Sequence, residues 1–317
     1  MSILALWTVP AFACDAWGPV TALRELDHPN LDESSGLAAS RQTPGALWTH
    51  DDSGDAVLFR FSLDGTVTEH PFPSADNKDW EDLAIAPCEG RGDCLYVGDI
   101  GAERGTPGEI TVYVGREPDG DGPIVLKDRW ELTWPGTPRD GETLLVSPCT
   151  LDAWIVTRGA TTEVFRIPAG RGRKPLPLEA VATLQVDEPI TSGDFSPDGT
   201  ALVLRSDRTI WRYPFDPAAP DAHWSTAPER LFDLVQPGEA IAWDVDGDLL
   251  FTDEGRPTPV GRIACEDPVV PEVCAGPTGC GCATGRMGAL PRSSAVLALS
   301  PCLWWVRRRR GFPPRAA

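Results

Sequence analysis

A chain of 317 residues, 41% hydrophobic and 24% charged, has the composition of a globular protein, long enough for one large all-β domain or two ordinary ones. Its net charge of −19 excludes nucleic acid and anionic membrane surfaces as partners of the folded part, the more so because Arg307 to Arg310 all sit in the C-terminal tail. Twelve Trp, 31 Gly and 32 Pro favour many short strands joined by tight turns over long helices.

The chain begins "MSILALWTVPAFACDAWG", an apolar stretch closed by Ala11-Phe12-Ala13. That is the A-x-A pattern of a signal-peptidase site, which predicts a signal peptide over 1–13 and Cys14 as the first mature residue. The basic segment that usually opens such a peptide is missing, which points to a start upstream of Met1. Next comes "VTALRELDHP", a strand with no partner nearby in sequence.

A recurring unit follows. "SGLAAS" at Ser35, "EDLAIA" at Glu81, "ETLLVS" at Glu142, "TSGDFS" at Thr191 and "EAIAWD" at Glu239 recur at intervals of roughly fifty residues. Each leads into a second apolar strand: "ALWTHDD", "CLYVGDI", "AWIVTRG", "ALVLRSD" and "LLFTDEG". Turns such as "SPDG" and "DVDGD" join them with the Asp-Gly chemistry of hairpins. The second of these resembles part of a calcium loop but lacks the later Glu and the helices of an EF-hand, so it reads as a turn.

Third strands follow in "AVLFRFSLDG", "ITVYVGRE", "TEVFRIPAG", "TIWRYPFDP" and "VGRIAC". Fourth strands are "TVTEHPFP", "RWELTWPG", "AVATLQVDEP" and "ERLFDLVQPG". The fifth unit lacks one, and "VTALRELDHP" can supply it, closing a ring that leaves no free sheet edge. The expected fold is an all-β propeller of five four-stranded blades over residues 14–265. A sixth blade hidden in the long second interval is the alternative.

Nine cysteines are many for a reducing compartment. Cys88 and Cys94 flank "EGRGD", a hairpin tip that a disulfide would clamp. Cys265 with Cys274 is a second expected pair, and Cys14 with Cys149 a third. The "CGC" at Cys280 and Cys282 has no nearby His partner and does not read as zinc.

In a propeller, the start of each first strand and the end of each second strand lie on one face. That geometry gathers Ser35, Glu81, Glu142, Thr191 and Glu239 near the axis, with His50, Asp51, Asp52, Asp99, Arg158, Arg205 and Asp253 just outside. Three glutamates around one axis repel each other, and burying them unpaired costs several kcal/mol. Arginine can relieve this, with Arg158 and Arg205 the expected partners. A hard cation held by Glu81, Glu142, Glu239, Asp52 and Asp99 relieves it more completely, and oxygen-only ligation suits Ca²⁺ or another divalent cation.

The stretches "SSGLAASRQTPGALWTHDDSGD", "DWEDLAIAP…LYVGDIGAE" and "SGDFSPDGTALVLRS" resemble a bacterial family of secreted propellers. More distantly they are similar to phytase-like esterase domains and to gluconolactonase-type (SMP-30-like) propellers. The resemblance spans roughly residues 20–265. It implies a central divalent cation that polarises substrate or activates water, with Glu81, Glu142, Glu239, Asp52 and Asp99 as candidates by position. Family members carry Asn where this chain has Asp51, and no Asn stands in the places a lactonase would use.

Beyond the propeller, residues 266–283 form a Pro/Gly/Cys-rich linker and 284–317 a tail. "PTGCGCATG", then "SSAVLALSPCLWWV", then "RRRRG" resembles the MYXO-CTERM sorting tails of myxobacterial surface proteins. The resemblance implies modification at Cys280 or Cys282 and retention at the cell surface. Pro291, Arg292 and Pro301 leave the apolar segment short of the ~20 residues that span a bilayer.

Three readings follow. One is an exported, surface-anchored and monomeric binding module whose acidic pit takes a cation, a saccharide or another small or cationic ligand, touching the membrane only through its tail. Asp51, Asp52, Arg158, Arg205 and Asp253 would contact the ligand, and Trp48, Trp80 and Trp243 lie near the expected rim. Another is a metal-dependent lactonase or phosphoesterase with His50 or Glu142 as general base. The third is a structural surface protein with a wet pit. The absence of G-x-S-x-G, with no evident His partner for Ser34-Ser35, argues against a serine hydrolase.

Overall fold

Short runs of β-branched and aromatic residues punctuated by Gly, Asp and Pro set the strand pattern. The computed structural model describes residues 14–102, 108–235 and 238–268, and among these it is all β apart from one 3₁₀ turn, η1 (Ala222–Ser225). The chain enters through β1 (Trp17–Leu26) and builds blade one from β2 (Ser34–Ala39), β3 (Ala46–Asp51), β4 (Val57–Ser62) and β5 (Val67–Pro71). Blade two is β6 (Trp80–Pro87), β7 (Asp93–Asp99), β8 (Glu109–Arg116) and β9 (Val125–Thr133). Blade three takes β10 (Asp140–Val146), β11 (Ala153–Arg158) and β12 (Glu163–Ile167); the short β13 (Leu176–Pro177) crosses to pair with β9, and β14 (Glu179–Thr183) completes the sheet. Blade four is β15 (Ile190–Phe195), β16 (Ala201–Ser206), β17 (Thr209–Pro214) and β18 (Glu229–Asp233). Blade five has β19 (Ala240–Trp243), β20 (Leu249–Thr252) and β21 (Thr258–Cys265), with β1 as its outer strand.

The inner strands β2, β6, β10, β15 and β19 each touch the next, and β19 returns to β2, so the ring is closed. Five blades are present, and the predicted closure by the N-terminal strand is found: β1 runs antiparallel to β21 from Trp17 opposite Cys265 to Leu26 opposite Thr258. There is no sixth blade among the described residues. Part of the long second interval goes into the extended outer strands β8 and β9.

Strand alternation explains how the ring packs. Side chains of one strand point to opposite sheet faces. On β6, Leu83 and Ile85 therefore pack with Trp48, Leu58 and Phe72 of blade one, while Ala84 and Ala86 face Leu144 and Ile155 of blade three. Five such apolar clusters fill the five gaps between blades.

Polar latches reinforce two of these gaps in the same way. In blade one the Arg60 guanidinium sits over the Trp48 ring at 5.6 Å and pairs with Asp121, while the Trp48 indole N–H donates to Glu117 at 2.9 Å. In blade three Arg166 lies over Trp154 at 6.0 Å and pairs with Asp221, which also accepts the Trp154 indole N–H at 2.8 Å. Each pair thus reaches acids of the following blade.

Two disulfides are defined between described residues. Cys88–Cys94 clamps the hairpin between β6 and β7, as expected. The other two expected pairings are corrected. Cys14 bonds to Cys265, with Cα atoms 5.8 Å apart, and not to Cys149; Cys265 is therefore not the partner of Cys274. The reason is register: with Trp17 opposite Cys265, the chain just ahead of β1 lies against the end of β21. Residues 1–13 and 269–317, with Cys274, Cys280, Cys282 and the expected linker and sorting tail, lie outside the described residues. Among the described residues no helix is long and apolar enough to cross a membrane.

The two bridges differ in what they close. A sequence separation of 251 is worth about 5 kcal/mol of unfolded-chain entropy and a separation of 6 about 2 kcal/mol, on the chain-entropy relation. Replacing Cys14 and Cys265 by Ser is expected to lower the urea midpoint by roughly twice as much as replacing Cys88 and Cys94, measured by tryptophan fluorescence.

Candidate functional site

Four of the five inner strands carry a β-bulge near their first residues. The register skips between Ser34 and Leu37 on β2, Trp80 and Asp82 on β6, Gly141 and Thr143 on β10, and Ile190 and Ser192 on β15. The extra residues are therefore Glu81, Glu142, Thr191, and one within Ser35-Gly36. A bulge frees its residue from the ladder and re-aims its side chain. The fifth inner strand pairs without a shift, and Glu239 lies directly before it.

The bulges bring Glu81 and Glu142 together. One carboxylate oxygen from each, with one from Asp140, lies within 4.8 Å of the others. Burial, then the charges of Glu142, Asp79 and Asp140, hold the Glu81 carboxyl well above the usual range. Burial raises Glu142 as well, with Asp140 and Glu239 adding to the rise and Arg158 opposing it. Glu239 is raised by burial and likewise eased by Arg158. Arg158 places its Nη1 3.3 Å from Glu142 and keeps a side-chain exposure of 41%, so it is a cation at the mouth of the pit.

Surrounding groups hold this cluster in place. The Asp99 carboxylate accepts the Asp79 N–H at 3.0 Å, two residues from Glu81. Asp99 is thus a support of the cluster in this conformation, and burial pushes it up to about 6. The Ala102 N–H donates to Asp140 at 3.0 Å. Gly101 packs close on the cluster, and a Cβ there would force the carboxylates of Glu81 and Asp79 to shift.

The remaining expected residues fall into two groups. Arg205 has a side-chain exposure of 0% and spans blades four and five, pairing with Asp253 at 2.6 Å and donating to the carbonyls of Ala240 and Thr252. Arg205 and Asp253 are bound to each other. Thr191 also ties these blades, donating to the Glu239 carbonyl at 3.0 Å. Asp51 accepts the N–H groups of Asp32 and Glu33, fixing the entry to β2.

Asp52 is different. One of its buried oxygens has no partner, and its charge acts on Glu81. Its carboxyl also meets Glu33, which that contact, followed by burial, pushes up to about 7.

His50 is fully buried beneath the first bulge, edge-on to Trp80, with Nδ1 3.1 Å from the Asp51 carbonyl and Nε2 unpartnered. Burial pushes its pKa down to about 4, so the ring is neutral and shielded from solvent. Trp48 and Trp80 are 0% exposed and belong to the core rather than to a rim. Asp140 was not among the sequence candidates. Its signal was present in Asp140-Gly141-Glu142, an i, i+2 acid pair at a strand start, matching Asp79-Trp80-Glu81 one blade earlier.

The donor set is all oxygen. Oxygens that share one Ca²⁺ at about 2.3–2.6 Å lie no more than about 5 Å from each other, which the cluster satisfies. A second acidic-cysteine grouping, Cys14, Cys265 and Asp267, offers no metal site because both sulfurs are in a disulfide.

No family model matches the chain, and no curated protein does. Among solved structures, the apo aldose sugar dehydrogenase of Escherichia coli aligns at TM-score 0.49 and 10% identity, over 78% of this chain and 99% of that one. A candidate gluconolactonase aligns at 0.45 and 12%, over 78% and 92%. The calcium-binding regucalcin of Agrobacterium tumefaciens aligns at 0.38 and 16%, over 73% and 70%. Likeness at this level carries no functional assignment.

Groups whose folded pKa is raised stabilise the fold fully below their unfolded value and lose that contribution as pH climbs through the folded one. Asp194, pushed up to about 7 by burial, and the raised Glu81 and Glu142 all act in this sense. Between about pH 7 and 9 the buried His50 and His223, pushed down to about 4, are neutral in the folded state and largely so unfolded. The melting temperature of chelator-treated protein is therefore expected to fall as pH rises across this window, measured by calorimetry.

Proposed function

We propose that this propeller binds a divalent cation, Ca²⁺ by ligand chemistry, through Glu81, Asp140 and Glu142. The observation that carries the reading is the convergence of three carboxylate oxygens within 4.8 Å at the pit, two of them on bulge residues. Three acids held this close in a partly buried site are mutually repulsive, and Arg158 neutralises only one charge. The cation would supply the missing positive charge and, towards a polar ligand, Lewis acidity. Glu239 and Asp52 act on it through charge, while Asp99 and Gly101 keep the ligands in place.

Export and surface attachment are part of the same proposal. A bridge from Cys14 to Cys265 belongs to an oxidising compartment, and a Cys14 engaged in it is blocked from lipid attachment. Cleavage after Ala13 leaves Cys14 in place to make the bridge, and anchoring falls to the tail at 284–317 with modification at Cys280 or Cys282. On this reading the protein is an exported, surface-held binding module for a saccharide or another small polar ligand.

One observation favours a hydrolytic second reading. Glu33 and Asp52 form a carboxyl pair beside the cluster, with Glu33 pushed up to about 7 and an Asp52 oxygen left unpartnered. A carboxyl raised to about 7 beside a second carboxylate is suited to general acid–base work. In this arrangement Asp52, rather than the buried His50, takes the proton from an attacking water. An ester and lactone screen with Ca²⁺ and with chelator tests it, and Asp52→Asn is expected to abolish turnover while leaving the protein folded.

Equilibrium dialysis of the tail-less protein against ⁴⁵Ca²⁺ tests the main reading, with uptake of about one ion per chain expected. Glu81→Gln is expected to weaken uptake at least about tenfold, since it removes one of three charged ligands. Arg158→Gln is expected to tighten it several-fold by removing the competing positive charge. Uptake insensitive to both substitutions would sink the assignment.

A further inference from the structure

The inner strands run the same way along the axis, so their C-terminal ends open on the face opposite the acidic pit. From Glu81 to Pro87 on β6 the distance along the strand is about 20 Å. At that far mouth lies a cavity of about 300 Å³, walled by Ala39, Ile85, Phe195 and Trp243 at the ends of four inner strands, with Pro197 and Val245 from the following turns. Its size is at the lower end for small-molecule pockets, and its make-up, apolar walls with a few charged groups, is the usual one.

The charges are unbalanced. Arg41 reaches Asp93 at 3.7 Å, so these two largely cancel. Asp194 and Asp244 also line the cavity, and among the described residues neither has a Lys or Arg nitrogen within salt-bridge distance. Asp194 accepts only backbone N–H groups, from Phe195 at 2.8 Å and Trp243 at 2.9 Å. Asp244 accepts those of Asp246 and Asp248. Two N–H donors leave each carboxylate with spare acceptor capacity. The Trp243 indole N–H, 3% exposed with its residue, has no partner either.

We propose that this opposite mouth is a second binding site, for a small organic cation with an apolar body, of the arylalkylamine class. The ring of such a ligand lies against Trp243, Phe195 and Ile85, and its ammonium group faces Asp194 and Asp244. Burial pushes Asp194 up to about 7, with the Arg41 charge opposing the rise, and Asp244 up to about 6, with Asp248 and Asp246 adding to it. The site is separate from the cation cluster and stands or falls independently of it.

Phenethylammonium is the probe, titrated into the full chain by calorimetry, with phenylacetate as the anionic counterpart. The cation is expected to bind and the acid not to. Val245→Trp, an exposed turn position that narrows the mouth, and Ala39→Phe, which fills the cavity, are each expected to weaken binding at least about tenfold. Arg41→Gln is expected to tighten it several-fold, because it removes the one positive charge of the lining. Glu81→Gln is expected to leave it unchanged. The proposal is overturned if the acid binds in preference, if neither probe binds at millimolar concentration, if Arg41→Gln weakens the cation, or if Glu81→Gln rather than Val245→Trp abolishes binding.

Discussion

The structure depends on satisfying carboxylates and hydroxyls sealed along the propeller axis. Asp82 is 0% exposed; it accepts the Leu83 and Leu144 N–H groups at 2.9 Å and the Ser192 hydroxyl at 3.1 Å. A single side chain of blade two thus ties to blade three and across the axis to blade four. Asp194 repeats the device between blades four and five, and the Ile241 N–H closes the chain of bonds onto Ser192. Removing one such acceptor would strand buried N–H groups, a loss of several kcal/mol. Sheet packing alone leaves blades free to slide along their apolar faces; these directional bonds set their heights.

That same set of contacts explains why the pit is where it is. With the lower part of each inner strand held at fixed height, a bulge at the top can release one residue without loosening the ladder below it. Glu81 and Glu142 occupy two such positions, and the cost of crowding them is carried by the ring as a whole. Arg158 offsets part of that cost from the open side, where its long side chain stays half in water. Arg205 does the reverse. Buried and paired with Asp253, it welds blade four to blade five and leaves no charge free for the pit. The two arginines lie two register positions apart in successive blades, Arg205 level with Val156, and they serve different ends.

Closure is the third element. Blade five takes its outer strand from the start of the chain, so the first and last described segments are neighbours in one sheet. Cys14 and Cys265 lock that seam, and the Arg212 guanidinium also bonds the Cys14 carbonyl from blade four. A seam tied by ladder hydrogen bonds, a disulfide and a buried arginine keeps the ring shut, which the axial bonds require in order to stay in register.

Much of this was legible in the residues. Recurrence of "EDLAIA"-like starts at near-constant spacing identified every inner strand, because a propeller repeats one unit and the hydrophobic period of two survives divergence. The clamp from Cys88 to Cys94 was legible because it is local. The bulges were half visible: the aligned first residues of four units turned out to be at the bulges, although nothing in the pattern distinguishes an unpaired residue from a paired one. Burial and partner choice were not legible. His50 and Arg205 lie two residues before the register positions of Asp52 and Arg158, on the same sheet face, and the pattern alone does not say that the former two are sealed and the latter two open. Cys14 finds Cys265 for the same reason. Sequence period determined by itself the repeating unit and which residues head it, with five blades expected and six the alternative, since both follow from local pattern. Tertiary structure alone decided which heads meet, which are neutralised and which cysteines join, because these depend on distances between segments far apart along the chain.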